Sequence, residues 1–442
     1  MAFVGLFKVF LAVICFFILH YFAKNNNKNG FPKNFPLVGM LPGLLLHVHR
    51  SHDFCTQILE RSQCTFLLKG PWFASMDILL TTDSTNIHYI MSSNFPNFPK
   101  GPEFNQIFGV LGDGIFNSNS DSWKNQRKVA LALINHQRFH QFLLKTSRNK
   151  VENGMIPILE NVSKHGIYVD LQDLFQRFKF DSISSQFMYI EFWVLHTGYD
   201  PGCLSVEFPQ VLFSRALEDV EKSIFYSHVV PKSLWKLQQW LGIGEEKKMK
   251  RAKKILDQTI SEGEDLITSY MNEDKDKANG LRSNDQFLRD TVLNFMIAGR
   301  DTTGSAFTWF FWLVSKNPKW EFDLKELHKL AYLHGAICEA LRLYPPLPFQ
   351  HKASAKPDIL PSGHWVVPST KILFSLYALG RMKTCLGKEV AFTQIKIVAA
   401  TILHNYNVVQ VVEDDNTNGP NVSIILQMKH GLTVRVFKRW DD

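Results

Sequence analysis

Apolar residues recur along this 442-residue chain mostly at intervals of three and four, the spacing of a helix with one buried face. That period predicts helices around residues 122–145, 209–226, 245–272, 285–316 and 325–343. Strand signals are fewer. "SMDILLTTD", Ser75 to Asp83, is a short apolar run, and the C-terminal "NVVQVVEDDNTNGPNVSIILQMKHGLTVRVF" reads as strands broken at an Asn-Gly turn. The pattern predicts a mainly α fold with a small β subdomain. "GEEKKMKRAKK", Gly244 to Lys254, reads as a basic helix start with a solvated face, and "NEDKDKANGLRSND" as a polar surface loop.

The N-terminus departs from this pattern. "AFVGLFKVFLAVICFFILHYFA", Ala2 to Ala23, is apolar apart from Lys8 and His20. Roughly 20 such residues, at about 1.5 Å each, cross a bilayer. No small-residue cleavage site follows, which argues against a signal peptide. Lys24, Lys28 and Lys33 come just after the span, so the positive-inside bias places the remainder in the cytosol. Residues 2–23 are therefore expected to be a single transmembrane anchor. Pro32, Pro36 and Pro42 make residues 24–46 a stiff hinge rather than a helix, because each proline fixes φ and removes a donor. Residues 47–442 show no internal repeat and no long linker, and read as one domain.

Composition adds two points. Aromatic residues make up 13% of the chain, with 36 Phe, so the interior should be rich in rings and suited to an apolar ligand. The net charge of +8 favours acidic partners or anionic membrane; no nucleic-acid partner is expected. The six cysteines (Cys15, Cys55, Cys64, Cys203, Cys338 and Cys385) form no CxxC pair, and there is no HExxH. They read as reduced thiols, in keeping with the cytosol.

Candidate chemistry lies in four short stretches. "DSWKNQRK" puts Trp123 and Arg127 at i and i+4 on one helix, an indole donor and a guanidinium that can serve carboxylates together. In "DTVLNFMIAGRDTTGSAFTWFFWLV", Ala298 and Gly299 are small enough for a planar ligand to approach the backbone. Asp301 and Thr302 follow, an acid beside an alcohol. The Thr302 hydroxyl can bond the carbonyl four residues back and loosen the helix, with Asp301 placed to pass protons. Taken alone, the stretch reads more simply as a helix with a polar surface patch. In "HGAICEALRLYPPLP", Glu339 and Arg342 share a helix face at i and i+3, and two prolines stop the helix. Finally, Cys385 precedes a helix start, where backbone N–H groups and the helix dipole favour thiolate. A structural cysteine is the simpler reading of that residue by itself.

The order of the four changes the reading. W-x-x-x-R, A-G-x-D-T-T, E-x-x-R followed by Pro-Pro, and C-x-G before a helix resembles the haem-thiolate monooxygenases of the cytochrome P450 superfamily. The resemblance runs from the anchor to the C-terminal hairpin. Within the superfamily, "GDGIFNSNSDSWKNQRK" and "HGAICEALRLYPPLPFQHK" are similar to the plant fatty-acid hydroxylase clan, and especially to mid-chain alkane hydroxylases. The resemblance implies the cytochrome P450 fold and haem (iron protoporphyrin IX) as cofactor. It makes Cys385 the axial thiolate, Trp123 and Arg127 partners of a haem propionate, and Glu339 with Arg342 a pair that locks the core. Thr302 and Asp301 would deliver protons to dioxygen. The substrate would be a long-chain alkane or fatty acid, and electrons would come from NADPH through a membrane-bound flavoprotein reductase. That reductase's acidic face would meet a basic surface that includes Lys383 and Lys388. The compartment would be the endoplasmic reticulum membrane, with the catalytic domain cytosolic.

The haem loop departs from the family pattern. The family reads F-x-x-G-x-R-x-C-x-G, whereas here Ala378 stands for Phe, Arg381 for Gly and Lys383 for Arg. The interval from Glu339 to Cys385 is shorter than the family's, and the P-x-R-F segment whose arginine joins the Glu-Arg pair is missing. The expectation is an internal deletion at about Lys383 and Thr384. The alternative function that follows is a haem-poor, catalytically inactive family remnant.

Overall fold

Where the apolar run is continuous, the chain forms a strand with neighbours on both sides. The computed structural model describes residues 31–74, 76–191, 202–271, 285–317, 330–379, 387–410 and 419–440. Its strands are β1 (Thr65–Leu68), β2 (Ile78–Thr81), β3 (Val169–Asp170), β4 (Phe349–Ala353), β5 (Asp358–Ile359), β6 (Trp365–Val366), β7 (Lys371–Ser375), β8 (Tyr406–Gln410) and β9 (Thr433–Lys438).

The described residues fall into two compact units. The first draws on Met1–Gly101, Tyr226–Leu241 and Phe349–Leu379, the second on Pro102–Phe225, Gly242–Pro348 and Gly380–Asp442. In the first unit a four-stranded sheet has the order β1-β2-β7-β4. β2 pairs antiparallel with β1 and parallel with β7, so every residue of Ile78–Thr81 is buried. Leu79, Ile87, Ile90, Phe98, Ile372 and Phe374 form the core beside this sheet. Residues 41–46 of the expected hinge are helical, Leu41–Leu46. Pro42 sits in the first turn, where the backbone N–H has no intrahelical acceptor and its absence costs nothing.

The second unit is helical. The period over residues 285–316 becomes one helix of 32 residues, Asp285–Lys316. It packs along the helix Leu171–Glu191, with Phe175 stacked on Phe307 at 4.8 Å and on Phe311 at 5.2 Å. Leu217, Val220, Ile224, Leu256, Leu293 and Ile297 join a second buried cluster. Each side chain of this size contributes about 1.5–3 kcal/mol on burial. The single helix expected over 122–145 is two, Ser120–Ile134 and Gln137–Lys150. His136 is extended between them, and its Nδ1 accepts from the Arg138 N–H at 3.3 Å.

Near the C-terminus β8 and β9 pair antiparallel, with β3 on the far side of β9. The apolar run within residues 421–428 is not a paired strand as expected. It lies against the long helix instead: Ser305 Oγ and Trp309 Nε1 both donate to the Leu426 carbonyl, at 2.7 and 2.6 Å. A short apolar run of this kind has no period to distinguish the two outcomes. Among the described residues no helix is long and apolar enough to cross a membrane; the expected anchor, residues 2–23, lies outside them.

Candidate active site

The middle of the long helix carries the alcohol and the acid. Thr302 Oγ1 donates to the Ala298 carbonyl at 2.5 Å, the back-bond expected from the sequence. Gly299 does not leave an open face for a planar ligand. A Cβ there would lie 2.8 Å from Ile183 Cδ1, so the missing side chain lets the helix Leu171–Glu191 approach.

Asp301 is no surface patch either, being fully buried together with Arg300. Arg300 Nη1 bonds Asp301 Oδ1 at 2.5 Å, while Nη2 reaches Ser214 Oγ and lies 3.7 Å from Glu218 Oε1. A second acid, Glu221 on the helix Leu212–Val229, is buried in the same cluster. Burial pushes the carboxyl of Asp301 above its ordinary range, against the pull of Arg300. Glu221 is pushed well above it, by burial first and then by Asp301. Sequence reading missed Glu221. Its signal was its place beside Leu217, Val220 and Ile224, which only the helical period sets apart from the neighbouring acids Glu218 and Asp219.

The same long helix places the Trp123 helix. Asp290 Oδ2 accepts from the Asp113 N–H at 2.8 Å. Asn294 accepts from the Phe116 N–H at 3.0 Å and donates to the Leu111 carbonyl at 2.8 Å. Arg289 donates to the Val110 carbonyl at 2.9 Å. Gly112 is left-handed (φ +62°), and a Cβ there would be 2.0 Å from the Asp290 carboxyl. Gln126 then ties the helix back, donating to the Asp113 carbonyl at 3.0 Å. On that helix the Arg127 guanidinium lies 5.4 Å from the Trp123 ring centre, and both are half-buried. This cation–π contact holds the guanidinium ready for a carboxylate without neutralising it.

Glu339 and Arg342 pair as their spacing predicts, Arg342 Nε to Glu339 Oε2 at 2.8 Å. The two side chains are 55% and 50% exposed, so the pair locks no core here. An exposed pair of this kind is worth about 0–1 kcal/mol. The helix Lys388–Asn405 docks on theirs through Phe392, 4.9 Å from the His334 ring. Gly387 caps that helix without a side-chain bond, which leaves its first N–H groups directed back along the chain. Cys385 and Lys383 lie outside the described residues.

The first unit holds cations that sequence reading also missed. Burial lowers Lys100 to about 7, with help from Lys352, and lowers Lys352 to about 8. His351 falls well below its ordinary value through burial, then through His228, Lys371 and Lys352. Lys352 Nζ lies 4.4 Å from the Phe95 ring centre, a contact that keeps some charge stabilisation for a buried ammonium. For His351 and Lys352 the signal was three consecutive polar residues, Gln350 to Lys352, between Phe349 and Ala353.

An alcohol–acid pair inside one long helix, and a half-buried guanidinium on a helix tied to it, are features of a helical haem oxidoreductase. The chain belongs to the cytochrome P450 family, whose model matches residues 30–384. Proteins of this family carry haem, and membership brings oxidoreductase, monooxygenase chemistry. The chain is 39% identical to alkane hydroxylase MAH1 of Arabidopsis thaliana, over 99% of its own length and all of that protein. It is 33% identical to noroxomaritidine synthase of Narcissus aff. pseudonarcissus MK-2014, with 98% and 96% covered. With cytochrome P450 86B1 of Arabidopsis thaliana it shares 30%, with 99% and 90% covered. The alignment to alkane hydroxylase MAH1 runs over 507 positions, well beyond the 442 residues available here.

Proposed function

We propose that this chain inserts one oxygen atom from dioxygen into a long-chain aliphatic compound, an alkane or a fatty acid. Electrons come from NADPH through a flavoprotein reductase, and residues 2–23 anchor the protein in the endoplasmic reticulum membrane. The observation that carries this reading is the similarity to an alkane hydroxylase over both full lengths. Cys385 would ligate the iron, Trp123, Arg127 and Lys383 would meet the propionates, and Glu339 with Arg342 would be the structural pair. Bound haem supplies dioxygen activation. The chain's own part is to exclude water with aromatic packing and to pass protons by way of Asp301 and the Thr302 hydroxyl.

Two observations favour a second reading, that the chain as it stands is a haem-poor remnant. The Glu339–Arg342 pair is half-exposed, and the alignment to alkane hydroxylase MAH1 has many more positions than this chain has residues. Lys383 offers a point charge where the family has the planar fork of arginine. One spectrum separates the readings. The reduced, carbon monoxide-treated chain should show a weak thiolate-type band. Inserting a full F-x-x-G-x-R loop before Thr384 should restore it, and Cys385→Ala in that background should abolish it. A strong band from the unaltered chain rules out the remnant. A haem-loaded chain that oxidises neither alkanes nor fatty acids rules out the first reading.

A further inference from the structure

Two carboxylates and one guanidinium are buried together in the second unit: Asp301 is 0% exposed, Glu221 1% and Arg300 1%. Their acceptors are only partly used. Arg300 Nη1 takes Asp301 Oδ1, while Ser423 Oγ and Gln427 Nε2 reach Glu221 Oε2 at 3.3 and 3.4 Å. Asp301 Oδ2 and Glu221 Oε1 remain, both buried and both without a donor. Ser214 and Glu218, which touch Arg300, precede Glu221 by seven and three residues, so one face of the helix Leu212–Val229 brings Glu221 to the same cluster as Asp301. Two ionised carboxylates can only accept, so a bond between them requires a proton on one.

We infer that Glu221 and Asp301 share one proton, carried by Glu221 and donated to Asp301 Oδ2, which makes Glu221 the residue that positions Asp301. Charge agrees with geometry. Arg300 balances one carboxylate, and the proton removes the second charge from the interior. Asp301 is the ionised partner because Arg300 touches it directly. Glu218, the other acid near Arg300, is a third exposed and can be hydrated. The raised proton affinity of both buried acids, greater at Glu221, points the same way. Asp301 is thereby fixed from two sides beside Thr302, and the cluster keeps a proton in reserve. Its use in catalysis rests on the proposed monooxygenase reading; the shared proton does not.

Infrared spectra of the full chain near pH 7.5, in water and deuterium oxide, test the pair. The wild type should show a protonated-carboxyl band that shifts in deuterium oxide. Glu221→Gln should lose it, because the amide donates to Asp301 without carrying the proton. Glu218→Gln should keep it. Asp301→Asn is the second variant should Glu221→Gln fail to fold, and it should lose the band too. A second measurement uses linkage. Above about pH 5 the native wild type holds a proton that the unfolded chain has released, so rising pH weakens folding about tenfold per unit relative to Glu221→Gln. A band that survives in Glu221→Gln, or a pH-independent difference between the two proteins, overturns the inference. None of these readouts needs haem or turnover, so failure of the proposed function leaves them interpretable.

Discussion

Lys179 is a lysine with almost no exposed surface. Its Nζ donates to Gln394 Oε1, and Gln394 in turn donates to Ser147 Oγ at 3.2 Å. Burial lowers the ammonium to about 7. Between that value and about 10.4 the unfolded chain binds a proton that the native state lacks. Stability therefore rises with pH across this window by about 1.4 kcal/mol per unit, and the gain is lost as pH falls through 7. Lys179→Met should flatten that slope and raise stability below pH 7, as read by urea unfolding at a series of pH values. Parallel profiles for the two proteins would refute the assignment. The placement was half legible. Lys179 is four residues after Phe175 and next to Phe178, on the buried stripe of its helix, but only the fold supplies Gln394 from more than two hundred residues away.

At the scale of elements, the loop between Val110 and Phe116 is held by three side chains of one long helix. Gly112→Ala should cost about 2 kcal/mol or more, since it adds a strained left-handed residue and a collision with Asp290. Gly166→Ala is the comparison. It is also left-handed (φ +63°) but has open space around it, so it should cost only about 1 kcal/mol. Chemical denaturation of the two variants tests the difference, and equal losses would show that the collision is relieved. Legibility divides the same way. Residues 285–316 were readable as a helix because 32 residues of period outweigh any local ambiguity. The break at His136 and the irregular run before Met428 were not, since one extended residue or one carbonyl docked on a distant tryptophan decides each. The Glu339–Arg342 bond followed from spacing. Its exposure did not, because burial depends on what other chain segments cover it.

For the whole molecule, the sequence showed no boundary between the two units because the first is assembled from three separated stretches. A linker marks a boundary only when a unit is continuous. The positive charges after the expected anchor give a prediction at this scale. Protease added to sealed microsomes should digest the cytosolic body, and full protection would reverse the orientation. The pairing of β2 with β7 has a consequence for biosynthesis. Ile78–Thr81 lies in the middle of its sheet, yet its parallel neighbour is Lys371–Ser375. At roughly 5–20 residues per second on the ribosome, the β1–β2 ribbon waits about 15–60 s for that neighbour. During this interval an apolar edge with unpaired backbone groups is open to solvent. A nascent chain stalled before residue 371 should therefore depend on chaperones, even though the finished protein covers that edge.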